Sequence, residues 1–149
     1  MSERKLIFWI FLTSLSVATA HVLALEFFLY WRYFWLDIPM HFFGGLLIGF
    51  VFVLFGKKFL SYDDLRDKEG GDKMFKLVIF GTAFVGVVWE IFEYSIGIIE
   101  YRFVSYSFDT VKDLFLDLLG GLSAFSIWQR VRGVDASKLF SEETNTYEK

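Results

Sequence analysis

Apolar residues run along this chain in long blocks, with polar residues gathered between them. Four apolar stretches, at about 6–30, 38–56, 77–99 and 111–131, each come near the ~20 residues that a helix needs to cross the hydrocarbon core of a bilayer. Polar residues fill the connection Lys57–Lys76, which breaks at Gly70-Gly71, and the tail after Arg132. The connections around Trp31–Asp37 and Glu100–Phe108 are short. The pattern predicts an all-α membrane protein: a bundle of four transmembrane helices over residues 1–132, followed by a polar, disordered tail at 133–149.

The first stretch has a second reading. Arg4 and Lys5, an apolar segment and Ala18-Thr19-Ala20 together imitate a cleavable signal peptide. The apolar run continues through Val22-Leu23-Ala24-Leu25 to Tyr30, too long for such a peptide, and is expected to stay as a span. With both termini on the side of the basic connection, that side carries 12 of the 15 Lys and Arg residues; Arg32, Arg102 and Lys112 make up the rest. The positive-inside rule then predicts a multi-pass protein of the cell membrane with both termini in the cytoplasm. Trp31, Tyr33, Phe34 and Trp35, with Tyr101 and Tyr106, suit an aromatic belt at the outer interface.

Composition strengthens the membrane assignment. The chain is 55% hydrophobic and 21% aromatic with 20 Phe, more apolar surface than a soluble domain of 149 residues could bury. A net charge of −3 leaves no basic footprint for nucleic acid, and the absence of cysteine excludes disulfides and thiolate metal sites.

The ionisable residues inside the spans are the informative ones. At ~1.5 Å of rise per residue they all fall in the outer half of the bilayer. His21 and Glu26 lie towards the outer end of the first span, Asp37 and His41 at the mouth of the second, Glu90 and Glu93 towards the outer end of the third, and Asp109, Asp113 and Asp117 descend the fourth. Asp37 and His41 are four residues apart, Glu90 and Glu93 three, and the aspartates repeat every four, so each set shares one helical face. A charge at mid-bilayer costs roughly 2.5–3.5 kcal/mol, and such residues normally face the bundle interior and mark function. Asp37 and Asp109 also suit helix N-caps, His21 a hydrogen-bonded core histidine, Glu26 a solvated interfacial site, and Lys112 a side chain snorkelling outward. Glu90, Glu93, Asp117 and His41 have no such bland explanation.

A low-dielectric cluster of up to six carboxylates must be offset by divalent metal, by protonation or by a cationic ligand. Oxygen-rich ligation favours Mg²⁺ or Mn²⁺, with Zn²⁺ open through His41. The metal-ligand candidates are therefore Asp37, His41, Glu90, Glu93, Asp113 and Asp117, with His21 and Asp109 weaker; His41 and Glu90 are the candidate general bases. A di-iron bundle would want Glu-x-x-His pairs, whereas this chain has Glu90-x-x-Glu93.

Asp37-Ile-Pro-Met-His41-Phe-Phe-Gly44-Gly45-Leu46 also echoes Asp113-Leu-Phe-Leu-Asp117-Leu-Leu-Gly120-Gly121-Leu122 at an offset of 76, which would fit two hairpins related as parallel repeats. The paired glycines themselves are expected to serve close helix packing.

The aspartate ladder resembles the Asp-rich helix of intramembrane prenyltransferases, where Mg²⁺ bridges to a lipid diphosphate. The wider constellation covers residues 37–122: Asp37-x-x-x-His41-Phe-x-Gly-Gly, Trp89-Glu90-x-x-Glu93 and Asp113-x-x-x-Asp117-x-x-Gly. It resembles the YjdF-like group of small bacterial membrane proteins of unknown function and, more distantly, the VanZ-like family. That resemblance implies proximity to cell-envelope lipids. The expected function is a site, open to the outer leaflet, that binds divalent metal and a phosphate-bearing lipid head group. The alternatives are a non-catalytic membrane partner, whose polar cluster only holds the bundle together, and a small proton- or cation-coupled carrier.

Overall fold

A computed structural model describes the backbone of residues 2–60, 68–96 and 106–147, and side chains within 2–60, 70–95 and 107–132. The centre of the basic connection with Arg66, the outer connection with Tyr101 and Arg102, residues 97–99 of the third apolar stretch and the side chain of Tyr106 lie outside the described residues. Everything described is helix or short turn. The elements are α1 (Glu3–Glu26), α2 (Leu29–Arg32), a 3₁₀ turn (Phe34–Leu36), α3 (Asp37–Phe59), α4 (Lys68–Ile96) and α5 (Tyr106–Tyr147).

Among the described residues, three segments, Glu3–Glu26, Phe34–Phe59 and Gly70–Ser95, are long and apolar enough to cross a membrane. Large apolar side chains such as Phe8, Phe11, Phe80, Phe84, Phe115 and Ile91 point outward, each at least half exposed. In water such a surface would aggregate; in lipid it is solvated. α5 continues past its apolar stretch along the polar residues after Arg132.

α1 opens with Ser2, whose hydroxyl oxygen accepts from the Lys5 amide at 3.4 Å. It closes earlier than the 6–30 apolar stretch, because Phe28 takes a left-handed conformation (φ 54°) and reverses the chain into α2. That reversal brings Tyr30 back over α1, where its hydroxyl meets His21 Nδ1 at 2.8 Å.

α3, α4 and α5 pack against one another, and α1 joins through α3. α3 and α5 run parallel. Gly45 meets the backbone of Asp117, Gly120 the backbone of Phe42, and one turn on Gly49 meets Gly121 and Ala124. A Cβ at Gly45 would overlap the Asp117 carbonyl oxygen, and one at Gly120 the Phe42 carbonyl oxygen. Gly45 and Gly49, spaced by four, therefore form a small-residue seam that lets the two backbones touch. α4 runs antiparallel to both, with Gly56 against Met74, Gly81 against Phe52, and Gly86 against Leu114 and Asp117.

The bundle is sorted along its length. One end is an apolar core of Leu6, Phe50, Val53, Met74, Val78, Ala124, Phe125 and Trp128. Buried polar residues occupy the other half: His41, Thr82, Glu90, Asp113 and Asp117.

Candidate functional site

Asp37 and His41 stand one turn apart on α3 because their spacing of four stacks them on one face. Leu36, not Asp37, precedes the helix, and it makes no side-chain cap; the Asp37 carboxylate turns instead towards His41 and Lys112. Asp109 likewise lies inside α5, which begins at Tyr106, so neither aspartate serves as an N-cap.

His41 is the hub. Its ring is 6% exposed and is held on both edges by carboxylates. Nε2 lies 3.5 Å from Asp37 Oδ1 and 3.9 Å from Asp113 Oδ1, while Nδ1 lies 3.4 Å from Asp117 Oδ1. The glycine seam sets this geometry, since Gly45 and Gly120 bring α3 and α5 into backbone contact one turn from these side chains. Gly86 admits Asp117 from the third side, because a Cβ there would stand 2.7 Å from Asp117 Oδ2.

Among the described residues, two groups of possible metal ligands share His41. Asp37, His41 and Asp113 form one and His41, Glu90 and Glu93 the other, with ligand atoms in each group within 4.8 Å of one another. The two differ in what already neutralises them. Lys112 Nζ lies 3.2 Å from Asp37 Oδ2, 3.2 Å from Asp113 Oδ1 and 2.6 Å from Asp109 Oδ1. Lys112, expected to snorkel outward, reaches back towards the start of its helix to Asp109 and across to Asp37 and Asp113, and these three carboxylates hold the ammonium. The glutamates, among the described residues, have only neutral donors. Thr110 Oγ1 donates to Glu90 Oε2 at 2.8 Å, and Trp89 Nε1 donates to Glu93 Oε1 at 2.8 Å.

Among the described residues, three buried polar atoms have no hydrogen-bond partner: Glu90 Oε1, Asp113 Oδ1 and Thr82 Oγ1. Asp113 Oδ1 is nonetheless ion-paired with Lys112 Nζ at 3.2 Å, which leaves Glu90 Oε1 and Thr82 Oγ1 without any partner. Such atoms are rare in folded chains and each is costly, about 1–3 kcal/mol. Asp113 and Thr82 are among the residues that line a cavity of about 530 Å³ between α1 and the α3–α4–α5 core. Its polar end carries Asp37, His41, Glu93 and Lys112, and apolar residues such as Val17, Ile48 and Val85 line its other walls. A space of this size and two-faced lining is typical of a small-ligand site.

The structure therefore brings together Asp37, His41, Glu93, Asp113 and Asp117, with Glu90 beside them and Asp109 tied in through Lys112. His21 lines the same cavity at a distance, bonded to Tyr30 and edge-on to Trp89 with ring centroids 6.4 Å apart. Glu26 is exposed. Thr82, Trp89, Thr110 and Lys112 are additions that the acidic pattern did not single out. For Thr110 a signal existed: 110, 113 and 117 share a helical face by the i, i+3, i+7 rule.

No curated protein and no solved structure matches the chain. One family does, described as "Predicted membrane protein (DUF2238)", in agreement with the likeness to YjdF-like membrane proteins. That match runs over residues 3–133, taking in every helix that shapes the cavity, so the chain belongs to the DUF2238 family of predicted membrane proteins.

Proposed function

We propose that this protein binds a divalent metal ion and, through it, a phosphate-bearing lipid head group in the outer half of the bilayer. The observation that carries the reading is the orphaned Glu90 Oε1, 94% buried with its residue and grouped with His41 and Glu93. A carboxylate oxygen buried without a donor is the arrangement a cation relieves. The His41–Glu90–Glu93 group is the preferred position, because Lys112 already neutralises the Asp37–Asp113 side. Asp117, on the opposite edge of the imidazole, orients the ring as carboxylates do behind metal-bound histidines. Oxygen-dominated ligation favours Mg²⁺ or Mn²⁺, and His41 also admits Zn²⁺. If bound lipid is turned over, Glu90 and His41 are the groups placed to accept a proton. The proposal includes a fourth membrane span, formed by the first part of α5, and a cytoplasmic position for both termini, supported by the distribution of Lys and Arg. The internal repeat and the distant VanZ-like resemblance, with its implied place among envelope lipids, belong to the same proposal.

One observation favours a second reading, a non-catalytic role in which the polar cluster only holds the bundle. Lys112 bridges carboxylates from α3 and α5. Metal analysis separates the two. Protein purified without chelators should retain about one divalent ion per chain, and Glu90→Gln or Glu93→Gln should weaken binding at least tenfold, about 1.4 kcal/mol. A metal-free wild-type protein that also ignores added Mn²⁺ would eliminate the metal reading and leave the structural one.

A further inference from the structure

We infer that the head group is zwitterionic, carrying an ammonium as well as a phosphate; this rests on the metal-and-phosphate reading above. The charge of the cavity gives the first reason. Asp37, Asp109, Asp113, Asp117 and Glu93 line one end of it, with Glu90 beside them. Among the described residues, their cationic partners are Lys112 and, when protonated, His41. With a divalent ion held by His41, the imidazole is neutral and three negative charges remain. A phosphodiester with no other charge would make that four. At an effective dielectric of about 20, one further negative charge about 10 Å from two others is disfavoured by more than tenfold. A head group that brings its own cation avoids this.

The second reason is the wall facing those carboxylates. Tyr30, His21, Trp89 and Phe92 stand ring against ring, with successive centroids 5.7, 6.4 and 5.5 Å apart. All four line the cavity, as does Trp31 from α2. Aromatic faces beside a carboxylate are the recurrent means of holding an organic ammonium ion. The left-handed Phe28 builds this wall, since the reversal it makes folds Tyr30 and Trp31 over the cavity mouth. The buried Glu90 Oε1, without a hydrogen-bond partner and grouped with His41 and Glu93 beside the cavity, marks this end independently as a place for a ligand. The apolar walls then take the start of an acyl chain, so the ligand class is an aminophospholipid and not its free head group.

The test uses the full chain reconstituted in vesicles of equal phosphatidylethanolamine and phosphatidylglycerol with Mn²⁺, gently extracted, with co-purifying lipid quantified by mass spectrometry. Phosphatidylethanolamine should be retained about tenfold over phosphatidylglycerol. Phe92→Leu and Trp31→Leu, both at half-exposed positions that can take the change without unfolding, should bring the ratio close to that of the vesicle while metal content stays unchanged. Free phosphoethanolamine should not displace the lipid. Equal retention of both lipids, lost on adding a chelator, would overturn the zwitterion and leave the metal–phosphate site standing. Retention of neither above the vesicle ratio would overturn both. An enrichment that survives both leucine variants would reduce the rings to interfacial anchors and overturn the assignment, and displacement by free phosphoethanolamine would overturn the lipid class.

Discussion

Gly44 and Gly45 are neighbours in sequence and opposites in surroundings, and an alanine at each makes a sharp comparison. A Cβ built on Gly45 overlaps the carbonyl oxygen of Asp117 and stands 2.6 Å from its Cα and 2.7 Å from its carbonyl carbon. Carbon atoms rest at about 3.5–4.0 Å, so α3 and α5 would have to part by about 1 Å. The obstacle is backbone, which cannot rotate away as a side chain can. Overpacking of this kind costs typically 1–3 kcal/mol, and the upper end applies here because the parting also loosens the seam at Gly49. At Gly44 a Cβ meets nothing within 4 Å. There alanine should be neutral or slightly stabilising, by up to about 1 kcal/mol of helix propensity.

Intrinsic tryptophan fluorescence during heating in detergent reads this directly, since the chain has five Trp and no cysteine to complicate the melt. If a loss of 1 kcal/mol lowers the midpoint by roughly 2–4 °C for a chain of this length, Gly45→Ala should fall by roughly 6–12 °C. Gly44→Ala should not fall. The same 1 Å parting would stretch the His41–Asp117 pair from 3.4 Å beyond 4 Å, so Gly45→Ala should also weaken metal retention. Equal melting of the two variants would refute the seam and the geometry built on it.

Other consequences follow from the same contacts. Lys112→Met removes a cation near the proposed metal position and should tighten Mn²⁺ binding at least tenfold, measured by calorimetry; weaker binding would mean that Lys112 holds the site together. Thr110→Val deletes the hydrogen bond to Glu90 Oε2, worth about 1.5–3 kcal/mol for a charged acceptor, and should lower metal affinity at least several-fold in the same assay. Trp128→Ala cuts into the apolar end and should cost about 3–5 kcal/mol in the melt with metal content per folded chain unchanged; loss of metal would show that the two halves are coupled.

Much of the site could be read from the sequence because lipid makes charge conspicuous. His41, Glu90, Glu93 and Asp117 stand out by depth alone and Asp113 by its place in the aspartate ladder, and the helices place His41, Glu93, Asp113 and Asp117 at one cavity with Glu90 beside them. Lys112 was hidden by its position near a helix end, where a long side chain has two ways to point. Only the approach of Asp37 from α3 decides between them, and that approach depends on tertiary packing. Which glycine of each pair serves the seam was equally hidden, since adjacent residues differ by about 100° around a helix and the crossing chooses one. Thus Gly45 and Gly120 touch backbone, while Gly44 lies open on the cavity wall. The reversal at Phe28 had no turn residue to announce it, because a phenylalanine in left-handed geometry contradicts local preference.

The seam and the charges oppose each other, and that opposition bears on function. Gly45 and Gly120 draw α3 and α5 together at the level where Asp37, Asp113 and Asp117 repel. A cluster that served assembly alone could use neutral amides, which hydrogen-bond across helices without a desolvated charge. This chain instead keeps six carboxylates against one lysine and one histidine, and leaves an oxygen of Glu90 buried without a donor. Bringing like charges together at a point of backbone contact raises the energy of the empty site. It lowers the energy of any state in which a cation enters. The negative excess is thus most simply understood as binding energy held ready for a positive ligand, whether a metal ion, an ammonium head group or both.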